Sequence, residues 1–92
     1  MSRIARMREL LGAALAPESL EIEDDSHLHA GHAGARGGAG HYRLLIVSTR
    51  FEKLALLARH RAVYAALAAM MPAEIHALSI RALTPDEAAR SS

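Results

Sequence analysis

The sequence contains no cysteine, no tryptophan, and only two tyrosines and one phenylalanine. Without cysteine, the chain by itself cannot form disulfides, bind zinc through thiolates or use a thiol nucleophile. With so few aromatic rings, it lacks the stacking platforms on which single-stranded nucleic acids are usually bound. Its net charge of +1 at pH 7, with neutral histidines, also gives little attraction for a phosphate backbone. These absences exclude thiol chemistry by this chain alone and disfavour nucleic-acid binding.

Long hydrophobic runs are also missing. No stretch approaches the roughly 18 consecutive apolar residues of a membrane-spanning helix. The N-terminus carries Arg3, Arg6 and Arg8 but lacks the apolar segment of about 7 to 15 residues that secretory signals contain. We therefore expect a soluble, cytoplasmic protein with no membrane contact. The 92 residues, of which 51% are hydrophobic, suit a single domain over residues 1–92.

The spacing of apolar residues predicts six elements in the order helix, strand, strand, helix, strand, helix. Pro17 and Pro72 are expected to end the first two helices, because proline cannot continue a helix. Thr84-Pro85-Asp86-Glu87 has the form of a capping box that starts the last helix, and residues 88–92 are predicted to be a flexible tail. The predicted helices are 2–16, 51–71 and a short one from residue 85, and the predicted strands are 20–23, 42–47 and 75–82.

The strand at 42–47 is the most β-like run and is expected to be the central strand. The strand at 75–82 alternates, and its more apolar face, with Leu78 and Ile80, also carries His76. Together the elements predict an α+β domain in which helices pack on one face of a three-stranded mixed sheet. The apolar positions expected in the core from the second helix are Leu54, Leu57, Val63, Tyr64 and Leu67.

Histidine is concentrated in one glycine-rich stretch, residues 26–41, which holds four of the chain's six histidines: His27, His29, His32 and His41. The stretch has no periodic apolar face and is predicted to be the loop between the first two strands. Unstructured loops longer than roughly 12 to 15 residues are uncommon in compact domains and are usually functional or disordered. Imidazole is the commonest protein metal ligand. The loop is therefore either a metal-binding element or a histidine-rich linker.

The ordered set of short motifs resembles the BolA family over essentially the whole chain. The matching segments are Asp25-Ser26-His27, Gly31-His32-Ala33, His41-Tyr42-Arg43, Val47-Ser48, Arg50-Phe51-Glu52, Arg59-His60-Arg61, Val63-Tyr64, Ile75-His76-Ala77-Leu78 and Leu83-Thr84-Pro85. Two positions depart from the family pattern: Gly40, where the family often has threonine, and Lys53, where it favours glycine. The resemblance implies an αββαβα fold similar to a class II KH domain.

The resemblance also implies a partner, a monothiol glutaredoxin with a CGFS active site. In such heterodimers a 2Fe-2S cluster can be shared, in iron–sulfur cluster trafficking, cluster assembly or iron regulation. The glutaredoxin cysteine and a bound glutathione would supply the sulfur ligands. This chain would supply His76 and a histidine of the loop between the first two strands, a position that falls on His32, with His29 and His27 as alternates. Alone, the protein is expected to be a monomer or a weak homodimer.

Other interpretations remain open from the residues alone. His76 could be a partly buried, hydrogen-bonded strand residue, and the loop histidines could be solvated; His41 and His60 are expected to be structural. A KH-like transcription regulator that binds DNA is the alternative function, because some BolA-like proteins act in this way. No nucleophile–base–acid set is visible, so we expect no enzymatic activity. Phosphate contacts would come from Arg43, Arg50, Lys53, Arg59, Arg61 and Arg81.

Overall fold

The computed structural model describes residues 1–26 and 38–91. The predicted order of six elements is confirmed, and no helix in the described ranges is long and apolar enough to cross a membrane. Two short 3₁₀ helices, Thr49–Phe51 and Ala68–Met70, flank the second α-helix. The main elements are α1 (Arg3–Leu15), β1 (Ser19–Asp24), β2 (Gly40–Val47), α2 (Leu56–Ala66), β3 (Ile75–Leu83) and α3 (Pro85–Ser91).

The three strands form one mixed sheet in the order β1-β2-β3, so β2 is the central strand, as predicted. β1 runs antiparallel to β2, and β3 runs parallel to β2. Residues that pair across strands share a face of the sheet. Leu44 pairs with Ile22 and Ile80 on the apolar face, while Arg43 pairs with Glu23 on the opposite, polar face.

The core lies between the apolar face of the sheet and the helices. Tyr42, Leu44 and Ile46 alternate along β2 and are buried, because one face of the strand is covered. Against them pack side chains at helical spacing, Met7 and Leu11 on α1 among them, which are fully buried. Burying each large apolar side chain contributes roughly 1.5–3 kcal/mol. The other core residues from the helices, the 3₁₀ turns and the residue that follows α2 are Leu15, Phe51, Val63, Leu67 and Met70.

The second helix begins later than predicted, at Leu56 rather than at residue 51. Ser48 is the cause, because its fully buried hydroxyl accepts a hydrogen bond from the Arg50 N–H (3.0 Å) and donates one to the Leu15 carbonyl (2.6 Å). These bonds close a 3₁₀ turn over Thr49–Phe51 instead of an α-helix. Lys53 then adopts a positive φ of 68°, which no α-helix permits.

The late start changes which helical residues reach the core. Val63 and Leu67 are buried, as predicted. Leu54, Leu57 and Tyr64 are not: 36%, 61% and 40% of their surfaces are exposed. The prediction for these three was wrong, because Leu54 lies in the turn before α2, and Leu57 and Tyr64 lie on α2 but not on the side that buries Val63.

The last helix begins as predicted. The Thr84 hydroxyl accepts a hydrogen bond from the Glu87 N–H (3.2 Å), and the Glu87 carboxylate accepts one from the Thr84 N–H (2.9 Å). This reciprocal pair is the capping box. α3 continues to Ser91, so residues 88–91 of the predicted flexible tail are helical.

Candidate metal-ligand site

A change of register at the start of β3 sets the position of His76. Gly40 of β2 pairs with Ile75, but the next residue, His41, pairs with Ala77, which leaves His76 as an extra residue in β3. An extra residue of this kind is a β-bulge, which locally redirects side chains. Ile75 is fully buried, whereas His76 is exposed. The prediction that His76 shares a face with Leu78 was therefore wrong, because the bulge interrupts the alternation.

The bulge brings two histidines together. The ring centroids of His41 and His76 are 5.1 Å apart, and the ring planes are inclined at 54°. His41 is half-buried and His76 is exposed. Sequence reasoning assigned His41 a structural role and missed this pair. The signal that could have found it is that both histidines lie at the beginnings of strands, and the beginnings of neighbouring parallel strands meet at one edge of a sheet.

Hydrogen bonds fix the backbone around His41. Its carbonyl accepts a bond from the Asp25 N–H (2.8 Å), and its N–H donates to the Ser26 hydroxyl (3.1 Å). The Ser26 N–H in turn donates to the Asp24 carboxylate (2.9 Å). The chain therefore leaves β1 directly beside the start of β2, and the predicted histidine loop departs next to His41.

The proposed loop ligands His32, His29 and His27 lie outside the described residues. Within residues 1–26 and 38–91, no group of three or more histidine, aspartate or glutamate side chains could hold a metal ion. The site therefore offers the imidazoles of His41 and His76, and the sequence offers no thiolate. Such a donor set fits part of the coordination sphere of a cluster and not all of it.

A shallow cavity of about 170 Å³ adjoins the pair, and Asp25, His41 and Ser79 contribute to its lining. The Asp25 carboxylate is only 15% exposed and lies 3.1 Å from the guanidinium of Arg43. Arg43 also lies 3.6 Å from the Glu23 carboxylate. The polar face of the sheet beside the histidines is thus largely charge-compensated.

Gly40, one of the two departures from the family pattern, has a steric reason in this structure. It is buried at the start of β2. A Cβ atom at this position would lie 2.6 to 2.8 Å from atoms of the Tyr42 ring. Threonine would fit only if the Tyr42 ring moved. The observed position of this ring therefore requires glycine at residue 40.

The second polar cluster lies at the other end of β3, around Arg59. The Arg59 guanidinium donates to both carboxylate oxygens of Glu87 (2.6 and 3.1 Å) and to the carbonyls of Leu54 (2.9 Å) and Ala82 (3.0 Å). The hydrogen bond to Glu87 raises the pKa of Arg59. The bond from Arg59, followed by that from the Thr84 N–H, lowers the pKa of Glu87 to about 2.

The basic residues assigned to nucleic-acid binding therefore differ in their surroundings. Arg59 is held by Glu87, and its side chain is 12% exposed. Arg50 is exposed and donates to the Ala14 carbonyl (3.3 Å). Lys53 and Arg61 are exposed. The structure thus does not gather these four residues into one free basic patch.

Comparison with known proteins gives one consistent family. The protein-family model described as BolA-like protein matches residues 11–87. The chain is 47% identical over 81 residues to BolA-like protein 1 of Homo sapiens, covering 88% of this chain and 57% of that protein. It is 37% identical over 82 residues to the DNA-binding transcriptional regulator BolA of Escherichia coli strain K12, covering 89% of this chain and 75% of that protein.

A plant protein gives a similar match in sequence and in structure. The chain is 47% identical over 91 residues to SufE-like protein 1, chloroplastic/mitochondrial, of Arabidopsis thaliana, covering 94% of this chain but 24% of that protein. The solved BolA domain of SufE1 from Arabidopsis thaliana superposes with a TM-score of 0.83 at 44% identity, covering 95% of this chain and 96% of the domain. The chain thus spans little more than half of the human relative and about a quarter of the plant one.

Proposed function

The chain belongs to the BolA-like protein family, and on this premise we propose that it is a non-enzymatic partner of a monothiol glutaredoxin with a CGFS active site. The two proteins would share a bridging 2Fe-2S cluster, in iron–sulfur cluster trafficking or iron regulation. A cytoplasmic location and a monomeric or weakly dimeric free state are proposed with it. The observation that carries the proposal is the exposed His76, placed on a bulge at the sheet edge of a chain without cysteine.

The donor set supports a shared cluster. A 2Fe-2S cluster needs four protein or thiol ligands, and replacing two thiolates on one iron by imidazoles raises its reduction potential. A chain without cysteine can supply only the imidazole half, so a partner must bring the sulfurs. His76 would be one ligand, and His32, with His29 and His27 as alternates, the other.

The local geometry supports a loop ligand close to His76. The Ser26 hydroxyl accepts a hydrogen bond from the His41 N–H, and the His41 ring lies 5.1 Å from the His76 ring. The loop that carries His27, His29 and His32 therefore begins beside His41 and close in space to His76, the proposed ligand. A short span of chain would be enough to bring one of these imidazoles to a cluster held by His76.

The test is reconstitution of the heterodimer. The purified full chain would be mixed with a CGFS glutaredoxin, glutathione, iron and sulfide, and the visible absorption and circular dichroism recorded. We expect a cluster spectrum that changes in His76→Ala and in His32→Ala but not in His60→Ala, which alters a half-buried helical histidine as the control. Absence of a heterodimer would reject the partnership. A heterodimer spectrum that neither ligand substitution alters would reject the ligand assignment.

The second candidate function is DNA binding, favoured by the 37% identity to the Escherichia coli protein named as a DNA-binding transcriptional regulator. The exposed Arg50, Lys53 and Arg61 would supply phosphate contacts. The net charge of +1 and the pairing of Arg59 with Glu87 argue against it. Salt separates the two functions, because a DNA complex weakens steeply between about 50 and 200 mM salt and a cluster-bridged heterodimer does not.

A further inference from the structure

We propose that His41 and His76 together form a two-imidazole site for a single divalent ion of the late first-row transition metals, with zinc as the reference ion. This inference goes beyond the proposed function, because it needs neither a glutaredoxin nor a cluster and depends on His41, which the proposed function does not use. It rests on four observations, namely the ring geometry, the fixed backbone, the access from solvent and the donor type.

The ring geometry matches chelation of one ion. Imidazole nitrogens bind zinc at about 2.0 to 2.1 Å, and two such rings at a near-tetrahedral angle have their centroids roughly 5 Å apart. The centroids of His41 and His76 are separated by 5.1 Å, and their planes are inclined at 54°, so they are not stacked parallel. The separation of the centroids is therefore compatible with one ion bound by both rings.

The backbone holds the pair in place before any ion binds. His41 is paired with Ala77 across the parallel strands and is bonded to Asp25 and Ser26 on its other side. His76 follows Ile75, which is fully buried in the core. Ligands carried on strands lose less conformational freedom on binding than ligands on loops. The sheet therefore fixes the backbone positions of both histidines.

Access and donor type also favour a transition-metal ion. His76 is exposed, so an ion from solvent reaches its ring directly, whereas His41 is half-buried and its Nε2 atom is buried. Imidazole ligands suit zinc, copper and nickel better than magnesium or calcium. Since no third side-chain ligand joins the pair within residues 1–26 and 38–91, water would complete the coordination, and affinity would be below that of a four-ligand structural zinc site.

The site would also compete with the proposed cluster for His76. An ion held between His41 and His76 occupies the imidazole that the heterodimer would use. Free zinc would therefore lower the yield of the cluster-bridged complex, and substitution of His41 would relieve that inhibition.

The experiment uses the full chain with the loop histidines replaced, as His27→Ala, His29→Ala and His32→Ala together, so that they do not bind the added metal. Zinc chloride alone would be titrated in by calorimetry, and the imidazole nitrogens followed by long-range ¹H–¹⁵N correlation spectra. We expect one zinc ion per chain and shifts of both the His41 and the His76 rings. His41→Gln and His76→Gln, each added to this variant, should weaken binding by about a hundredfold, and the double substitution little further, because the two imidazoles bind the ion as a chelate.

His60→Gln in the same variant is the matched control and should leave zinc affinity unchanged. The inference is overturned if the loop variant binds no zinc, if only one of the two rings shifts, or if His41→Gln leaves the affinity unchanged. The spectra of the chain with both histidines present decide the matter even where a glutamine variant folds poorly. No glutaredoxin or cluster enters this titration, so its result is independent of the test of the proposed function.

Discussion

The two ends of β3 carry polar clusters of different kinds. At the end that leads into α3, the Glu87 carboxylate accepts hydrogen bonds from the Arg59 guanidinium and from the Thr84 N–H. At the opposite end, His76 is exposed on a bulge beside His41. A cluster whose charged groups satisfy one another stabilises the fold, whereas an exposed imidazole on a bulge can offer its ring nitrogens to a ligand. β3 thus has structural polar residues at one end and candidate functional residues at the other.

The largest effect on stability is expected from a substitution in the Arg59–Glu87 cluster, which we call the structural end of β3. Arg59→Ala removes hydrogen bonds to Glu87 and to two backbone carbonyls and should lower the free energy of unfolding by about 2 kcal/mol. His76→Ala, at the other end of the strand, should change it by less than about 0.5 kcal/mol, because the side chain is exposed. Urea unfolding of both variants measures the difference. Equal losses of unfolding free energy in the two variants would show that the two ends of β3 contribute equally to stability.

The charge at the structural end should appear in the pH dependence of stability. The pKa of Glu87 is lowered from its ordinary 4.5 to about 2, chiefly by the hydrogen bond from Arg59. A carboxyl with a lowered pKa stabilises the folded state above its unfolded pKa, and this contribution is lost as the pH falls towards the folded pKa. Glu87→Gln should therefore lose less stability than the wild type between about pH 5 and pH 2.

Urea midpoints at several pH values across that range provide the measurement. Glu52→Gln, an exposed carboxylate in the turn before α2, is the control and should follow the wild type. Identical pH profiles for Glu87→Gln and the wild type would mean that the ion pair does not persist in solution.

The smallest effect is expected in the turn that supports Arg59. The Leu54 carbonyl accepts a hydrogen bond from Arg59, and the preceding Lys53 has a φ of 68°. A side chain in this left-handed region costs about 1 kcal/mol, which glycine avoids at some cost in chain entropy. Lys53→Gly should raise the free energy of unfolding by about 0.5 kcal/mol, measured by thermal or urea unfolding. A lower free energy of unfolding for Lys53→Gly would contradict the claim that the backbone at Lys53 is strained.

Local patterns in the sequence were enough to predict much of the fold. The β-like run at residues 42–47 predicted a central strand, and Thr84 with Glu87 predicted the capping box, because each signal involves residues close in the chain. The start of α2 could not be predicted in this way. It depends on the Ser48 hydroxyl, which bonds to the Leu15 carbonyl far away in sequence.

The candidate site was predicted only in part. His76 was singled out by its resemblance to a family motif, but its exposure depends on the register between β2 and β3, which no single segment encodes. The neighbouring position of His41 follows from the same register. The pairing of Arg59 with Glu87 likewise joins distant residues and removes Arg59 from the basic surface. The role of His32, with His29 and His27, stays a prediction.

The hydrogen bonds that join Asp25 and Ser26 to His41 have a consequence for engineering. They close the β1–β2 connection at its base. We therefore expect the sheet register to be independent of how many residues the connection contains. Each doubling of the length of a connection costs only about 0.6 kcal/mol in chain entropy. The fold should therefore tolerate insertions or grafted metal-binding peptides between residues 27 and 37. This connection is thus a site where new segments can be introduced while the rest of the domain keeps its structure.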